Sequence, residues 1–224
     1  IFFFKRKHMS SIIESFNKIN SNIEKLNPTQ KVNIVAVSKT FPLDHIKPLI
    51  DFGHNHFGEN KVQEAISKWK QIKIQNKKIK LHMVGKLQSN KAKLAASLFD
   101  YIHSLDSQKL ADIFSNYEIS NPRKLKYFIQ VNVGNELQKS GIPVNEVDSF
   151  YNYCSKEKNL EILGLMVLPP NDNNTKKYFK ILSNLNKSLG LKDLSMGMSS
   201  DYSDAINFDS TYVRIGSSIF GSRS

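Results

Sequence analysis

Val35-Ala36-Val37-Ser38-Lys39-Thr40-Phe41-Pro42 is a run of β-formers that breaks off at a lysine and a proline-closed turn. A short, wholly apolar run of this kind reads as a buried parallel strand, and the turn after it as the first crossover of a βα unit. An open doubly wound sheet usually announces its ligand site by a glycine-rich first turn. Ser38-Lys39-Thr40-Phe41-Pro42 contains no glycine, so a closed barrel is preferred.

Working outward, the period switches repeatedly between short β-rich runs and amphipathic stretches, the signature of alternating strands and helices. Eight strand candidates follow: 32–37, 55–57, 81–84, 101–104, 126–133, 161–167, 193–196 and 211–215. Helical stripes lie between them, among them Val62, Ala65, Ile66 and Trp69, and Leu110, Ala111 and Phe114. Eight βα units in 224 residues predict a single (β/α)8 TIM-type barrel, α/β in class. An extra helix precedes it: Ser11-Ile12-Ile13-Glu14 reads as a capping box, and Ile12, Phe16, Ile19, Ile23 and Leu26 then recur at helical spacing until Asn27-Pro28. The barrel domain is expected over residues 9–224, with residues 1–8 an N-terminal extension, disordered or loosely attached.

Composition narrows the function. Lys+Arg 32 against Asp+Glu 20 gives a net charge of +12, but 28 of those cations are Lys and four are Arg. Base readout and bidentate phosphate recognition favour Arg, so the excess reads as scattered surface lysine, and no nucleic-acid partner is expected. The apolar opening Ile1-Phe2-Phe3-Phe4 is too short for a signal core or a membrane span, so no membrane association is expected either. The single cysteine, Cys154, excludes an internal disulfide and fits a reducing cytoplasm. It falls on the amphipathic stripe Val147, Phe150, Tyr151, Cys154 and reads as core. His54 and His56 share one strand face, but no third ligand with suitable spacing accompanies them, so no metal site is expected.

In a barrel the ligand face is built at the C-terminal ends of the strands, with phosphate held by the loops after the last two. That rule selects Lys39 after the first strand, Glu59-Asn60 after the second and Gln88-Ser89-Asn90 after the third. Asp106 follows the fourth, Asn132 with Gly134 and Lys139 the fifth, Ser199-Ser200 the seventh, and Arg214 with Gly216-Ser217 the eighth. A lysine leaving a buried strand can lose its proton and attack a carbonyl as the free amine; Lys139 is a competitor in a polar loop. Gly197 and Gly216 let the backbone approach a phosphate, Ser199 and Ser217 offer hydroxyls, and Asp201 suits the start of the next helix. Arg214 would grip that phosphate, or donate to a pyridine nitrogen and keep it unprotonated. The combination points to pyridoxal 5′-phosphate (PLP), held as a Schiff base.

The motifs Val35 to Thr40, His56-Phe57-Gly58-Glu59-Asn60, His82 to Lys91, Gln130 to Gly141, Gly164-Leu165-Met166, Leu194 to Ser200 and Arg214 to Gly221 resemble, in order, those of the pyridoxal phosphate homeostasis protein family. That family shares its barrel with the N-terminal domain of alanine racemase. The resemblance implies a cytoplasmic PLP-binding regulator of vitamin B6 and amino-acid pools without established turnover. It implies Lys39 as the Schiff-base lysine, Ser199, Arg214, Gly216 and Ser217 as cofactor contacts, and Asn60 close to the ring. Apo-PLP enzymes are the partners it suggests, with a monomer or weak homodimer as the assembly. Leu81, where the family often has Trp, and Val167-Leu168 depart from its pattern, away from the lysine and the phosphate grip. The alternative is a PLP-dependent racemase-like enzyme, which needs a second base from an additional β-rich domain that residues after Gly221 are not expected to supply. A third reading, a phosphate-binding barrel in which Lys39 attacks a sugar or keto acid, shares the fold.

Overall fold

The computed structural model describes residues 2–27, 29–134, 136, 138 and 140–221, with side chains from Ser11 onward. The chain alternates strand and helix. Its strands are β1 (Asn33–Val37), β2 (His56–Glu59), β3 (Lys80–Met83), β4 (Tyr101–Leu105), β5 (Lys126–Asn132), the two-residue β6 (Ile142–Pro143), β7 (Glu161–Met166), β8 (Asp193–Met198) and β9 (Tyr212–Ile215). They pair in the order β4-β3-β2-β1-β9-β8-β7-β5, and the β4–β5 pairing closes the ring. Every pairing is parallel. The eight ring strands are the eight expected from sequence, displaced by one or two residues at their ends, while β6 lies outside the ring against β5. The fold is the expected TIM-type barrel.

The helices are α1 (Phe2–Leu26), α2 (Leu43–Asp51), α3 (Val62–Gln75), α4 (Ala92–Leu98), α5 (Gln108–Ser120), α6 (Val147–Asn152), α7 (Thr175–Ser188), α8 (Tyr202–Ile206) and α9 (Ser217–Phe220). Between their apolar stripes and the outer faces of the strands lies the main core, in which Trp69, Phe57, Phe99, Phe114 and Phe179 are fully buried. Helix α1 buries Ile12, Phe16, Ile19 and Ile23 and packs against α2, α8 and α9. Its helical backbone begins at Phe2 rather than at Ser11. Residues 2–8, expected to be loose, therefore continue the helix as backbone, and Ser11 stands inside it instead of capping it. A Ser-x-x-Glu pattern marks a helix start only where the preceding residues leave helical geometry.

A second, smaller core fills the barrel's interior with Val35, Tyr101, Phe128, Met166 and Tyr212. Polar side chains stand among these rings: His82 stacks on Tyr101 with centroids 4.1 Å apart, and His103 on Phe128 at 4.5 Å. All strands run the same way, so their C-terminal ends form one rim, and whatever follows them converges there.

Candidate functional site

At that rim a cavity of ≈ 470 Å³ opens, lined in part by Lys39, Asn60, Ser199, Arg214, Gly216 and Ser217. The six residues selected from the sequence thus share one space, with Ser200 beside them and Val37, Phe41, Val84, Leu168 and Met198 as apolar wall.

The turn carrying Lys39 is held from outside the barrel by α3. The Ser38 hydroxyl donates to Glu59 Oε1 at 2.7 Å, and Lys68 Nζ donates both to that oxygen and to the Ser38 carbonyl at 2.9 Å. Trp69 Nε1 donates to Glu59 Oε1 as well, at 2.9 Å. On the other side of the lysine, the Thr40 N–H donates to Glu64 Oε1 at 2.9 Å, and Thr40 sits at φ 69°. A non-glycine residue in that region persists only where its surroundings fix it. Glu59, placed on the rim by the sequence reading, faces α3 rather than the cavity and is wholly buried.

Across the cavity, the loops after β8 and β9 are tied together by the Ser218 N–H, which donates to Ser199 Oγ at 3.4 Å. Gly216 presses on the end of β1, where a Cβ would lie 3.2 Å from the Val37 carbonyl oxygen. Gly197 does not line the cavity. It adopts φ 93°, and a Cβ there would meet Ala205 Cβ at 2.6 Å, so its smallness serves the packing of α8 rather than the approach of a ligand. Asp201 spends its carboxylate on the Met198 N–H at 2.6 Å, not on the first turn of α8.

Arg214 is 4 % exposed, on the inner face of β9. It donates through Nη1 to the Ser195 carbonyl and hydroxyl at 2.7 and 2.6 Å, and through Nη2 to the Val167 carbonyl at 2.8 Å. Burial lowers its pKa to about 10, opposed by Asp201, so it remains a cation at neutral pH. Behind it runs a chain of rings. Ser195 Oγ meets His103 Nδ1 at 2.7 Å, His103 Nε2 meets His82 Nδ1 at 2.9 Å, and His82 Nε2 meets His56 Nδ1 at 2.9 Å. Burial pushes the pKa of His82 and His103 well below the ordinary imidazole value, and that of His56 to about 4. The column is neutral at pH 7.

The remaining rim residues lie elsewhere. Gln88 precedes a 3-10 turn at Ser89–Lys91 and does not reach the cavity. Asn132 and Gly134 line a neighbouring cavity of ≈ 270 Å³ with Lys86, Gln130 and Ser140. Asp106 is hydrogen-bonded to Ser140, with Lys86 nearby, and its pKa is raised by burial. Lys139 lies outside the described residues. His54 bonds the His56 carbonyl at 2.8 Å, its pKa lowered by burial to about 4. Among the described residues no cluster of His, Cys, Asp and Glu could hold a metal. Cys154 is core, its thiol pushed up by burial to about 12. The histidine column was missed from sequence. The trace it left was one histidine on each of three consecutive strands, His56 on β2, His82 on β3 and His103 on β4.

Two features suit the cavity to a polar, anionic guest. Asn60 Oδ1 is buried with no hydrogen-bond partner among the described residues, and such an acceptor is costly unless a donor reaches it. Of Arg214's N–H groups, those described as bonded go to two carbonyls and a hydroxyl, and none to a carboxylate; a buried cation so placed favours an incoming anion or ring acceptor. With an amine on the near side, the site can hold a carbonyl compound by its anionic end and meet it with nitrogen.

The alanine racemase N-terminal domain family matches residues 15–224 of the chain. The pyridoxal phosphate homeostasis protein of Vibrio alginolyticus is 37 % identical over 230 residues, covering 96 % of this chain and 99 % of that protein. The one from Haemophilus influenzae is 35 % identical, with coverages of 97 % and 95 %. Among solved structures, PipY of Synechococcus elongatus PCC7942 with PLP bound superposes at a TM-score of 0.84, with 32 % identity, 94 % of this chain and 100 % of that one covered. Alanine racemase of Clostridium difficile 630 superposes at 0.72 over 96 % of this chain and 57 % of its own, at 15 % identity, a likeness of fold alone.

Proposed function

Because this chain belongs to the alanine racemase N-terminal domain family, as one of its pyridoxal phosphate homeostasis proteins, we propose that it binds pyridoxal 5′-phosphate and serves the intracellular homeostasis of PLP and of amino and keto acids. One observation carries the reading: Lys39, Asn60, Arg214 and the Ser199 and Gly216-Ser217 loops line a single cavity at the C-terminal rim. The cofactor of the PLP-bound relative has the chemistry this cavity fits, an aldehyde, a ring acceptor and a phosphate dianion.

When bound there, the group would supply an electrophilic aldehyde carbon open to a primary amine. Lys39 provides that amine, aimed by the turn that α3 holds. Ser199, Ser217 and the backbone at Gly216 would take the phosphate, whose charge suits hydroxyls and close N–H groups. Arg214 would serve a ring acceptor as a donor and, remaining protonated, would offer it no lone pair. Asn60 Oδ1, buried without a partner among the described residues, would accept from a ring substituent that can donate. The wall of Val37, Val84 and Leu168 excludes water from one side.

The role proposed is that of a carrier or regulator without turnover. A donor at the ring nitrogen that cannot give up its proton weakens the ring as an electron sink, and among the described residues Lys39 is the one amine lining the cavity. It acts in the cytoplasm, as a monomer or weak homodimer, with apo-PLP enzymes as recipients. No helix among the described residues is long and apolar enough to cross a membrane.

The test is direct. Added PLP should give the protein a visible absorbance that borohydride fixes, as a mass increment, to the peptide containing Lys39, and Lys39→Ala should abolish it. A protein that takes up no PLP sinks the reading. Sustained α-proton exchange of amino acids into deuterated water would overturn the absence of turnover.

A further inference from the structure

The barrel's interior holds a polar path that no step of cofactor binding uses: His56, His82, His103 and Ser195, in hydrogen-bond contact from ring to ring and ending on Arg214. His82, His103 and Ser195 are fully buried. Three neutral imidazoles in a space that Val, Ile or Leu would fill are an expensive way to pack a barrel unless their polarity has a use.

The polarity of the path follows from donor chemistry. A guanidinium only donates, so Ser195 Oγ accepts a hydrogen bond from Arg214 Nη1 through a lone pair. Its own O–H is then directed to His103 Nδ1. His103, neutral, must carry its proton on Nε2 and donates to His82 Nδ1. His82 in turn donates from Nε2 to His56 Nδ1. From Ser195 to His82 every donor then meets an acceptor, whereas the reverse direction would leave the Ser195 O–H without one in the path, so the Ser195 hydroxyl rotor is fixed. With its hydrogen engaged, that hydroxyl offers Arg214 lone pairs alone. The Ser195 and Val167 carbonyls complete a three-point seat, which leaves two of the five guanidinium N–H groups for the cavity.

We infer that Ser195, with His103, His82 and His56 behind it, is the positioning group for Arg214, seating its guanidinium so that its remaining N–H groups point at the ring of the bound cofactor. The inference rests on the PLP reading and adds residues outside the cavity to it. Ser195 and His103 touch no ligand; they act through the arginine. A path ending on a guanidinium delivers no proton to the site, because the terminal group has no lone pair to accept one.

Ser195→Ala removes the hydroxyl and leaves the carbonyl seat. In the unloaded protein, the ¹⁵N-resolved NMR signal of the Arg214 side chain should change from a single slowly exchanging environment to an averaged one. In the loaded protein, the visible band should move and its pH midpoint shift, while the affinity for PLP falls by about tenfold, the size expected for losing one hydrogen bond to a charged group. His103→Gln, whose amide can still bond Ser195, should fall between wild type and His103→Leu; this pair decides the matter if Ser195→Ala fails to fold. Wild-type NMR signal, band and midpoint in folded Ser195→Ala or in His103→Leu overturn the inference. Wild-type protein that takes up no PLP defeats the underlying reading instead, and the two failures are thereby separable.

Discussion

The Ser38 hydroxyl and the Glu59 carboxylate meet at 2.7 Å beneath the turn that presents Lys39. Glu59 has no exposed surface and Lys68, its ion-pair partner at 2.9 Å, has 9 %. The pair is therefore desolvated, and its worth depends on keeping both members. Removing one leaves a buried charge uncompensated, at a cost of roughly 3–5 kcal/mol, whereas removing both restores neutrality.

Lys68→Met is accordingly expected to lower stability by about 3 kcal/mol in urea unfolding. The double variant Glu59→Gln/Lys68→Met should be no worse than the single one, since the amide keeps an acceptor for Ser38 and Trp69. A double variant that loses the sum of both single effects would show that the two side chains act independently.

Acid should weaken this fold earlier than carboxylates alone would. His54, His56, His82 and His103 all have pKa values depressed by burial, the first two to about 4. The unfolded chain takes up protons near pH 6.5 while the folded chain refuses them, so the unfolded state binds more protons and stability rises with pH in that interval. The stabilisation is complete above about 6.5 and erodes as pH falls toward 4, with a slope of up to ~1.4 kcal/mol per pH unit for each imidazole. Urea midpoints at pH 7, 6 and 5 test this. A flat profile across that range would mean that the column accepts protons while folded. Replacing His54 should remove part of the slope without touching the cavity.

Much of this architecture was legible because barrel strands are buried on both faces and turns break them cleanly: Val35 to Val37 and Tyr127 to Ile129 read directly as strand. The rim rule then gathered Lys39, Asn60, Ser199 and Arg214 without knowledge of distances. Three features escaped. Glu59 and Asn60 are adjacent, and strand alternation sends one to α3 and the other to the cavity; choosing between them requires knowing which face is inside. Gly197 was read as a ligand contact because a glycine near a phosphate loop and a glycine under a helix look alike in one dimension. The histidine column joins four strands and crosses up to 139 residues of sequence, from His56 to Ser195. Periodicity within one strand carries no trace of it.

Two glycines with different constraints should respond differently to alanine. At Gly164 a Cβ would overlap the Asp193 carbonyl oxygen of the neighbouring strand, so Gly164→Ala must part β7 from β8, at a cost of about 3 kcal/mol. Gly190, after α7, has open space around it and φ 68°; Gly190→Ala bears only the left-handed backbone penalty, about 1 kcal/mol. Thermal melts of the two variants give the comparison, and equal losses would refute the steric account.

Arg214 should separate binding from stability. Its guanidinium is a buried cation bonded to oxygens that carry no formal charge, so the fold bears a desolvation cost that a ligand's electrons offset. Arg214→Met removes that cost and also strands two acceptors at Ser195 and one at Val167; the two effects oppose, and stability should stay within about 2 kcal/mol of wild type. Affinity for PLP has no such compensation and should drop by at least tenfold in equilibrium dialysis. Arg214→Lys keeps the charge, but a point-like ammonium cannot span the Ser195 and Val167 oxygens and still present N–H groups in a fixed plane. It should therefore bind PLP more weakly than wild type and show a displaced visible band, despite its unchanged charge. If Lys restored wild-type affinity and spectrum, charge alone would explain the residue, and the seat formed by Ser195 and Val167 would have no part in recognition.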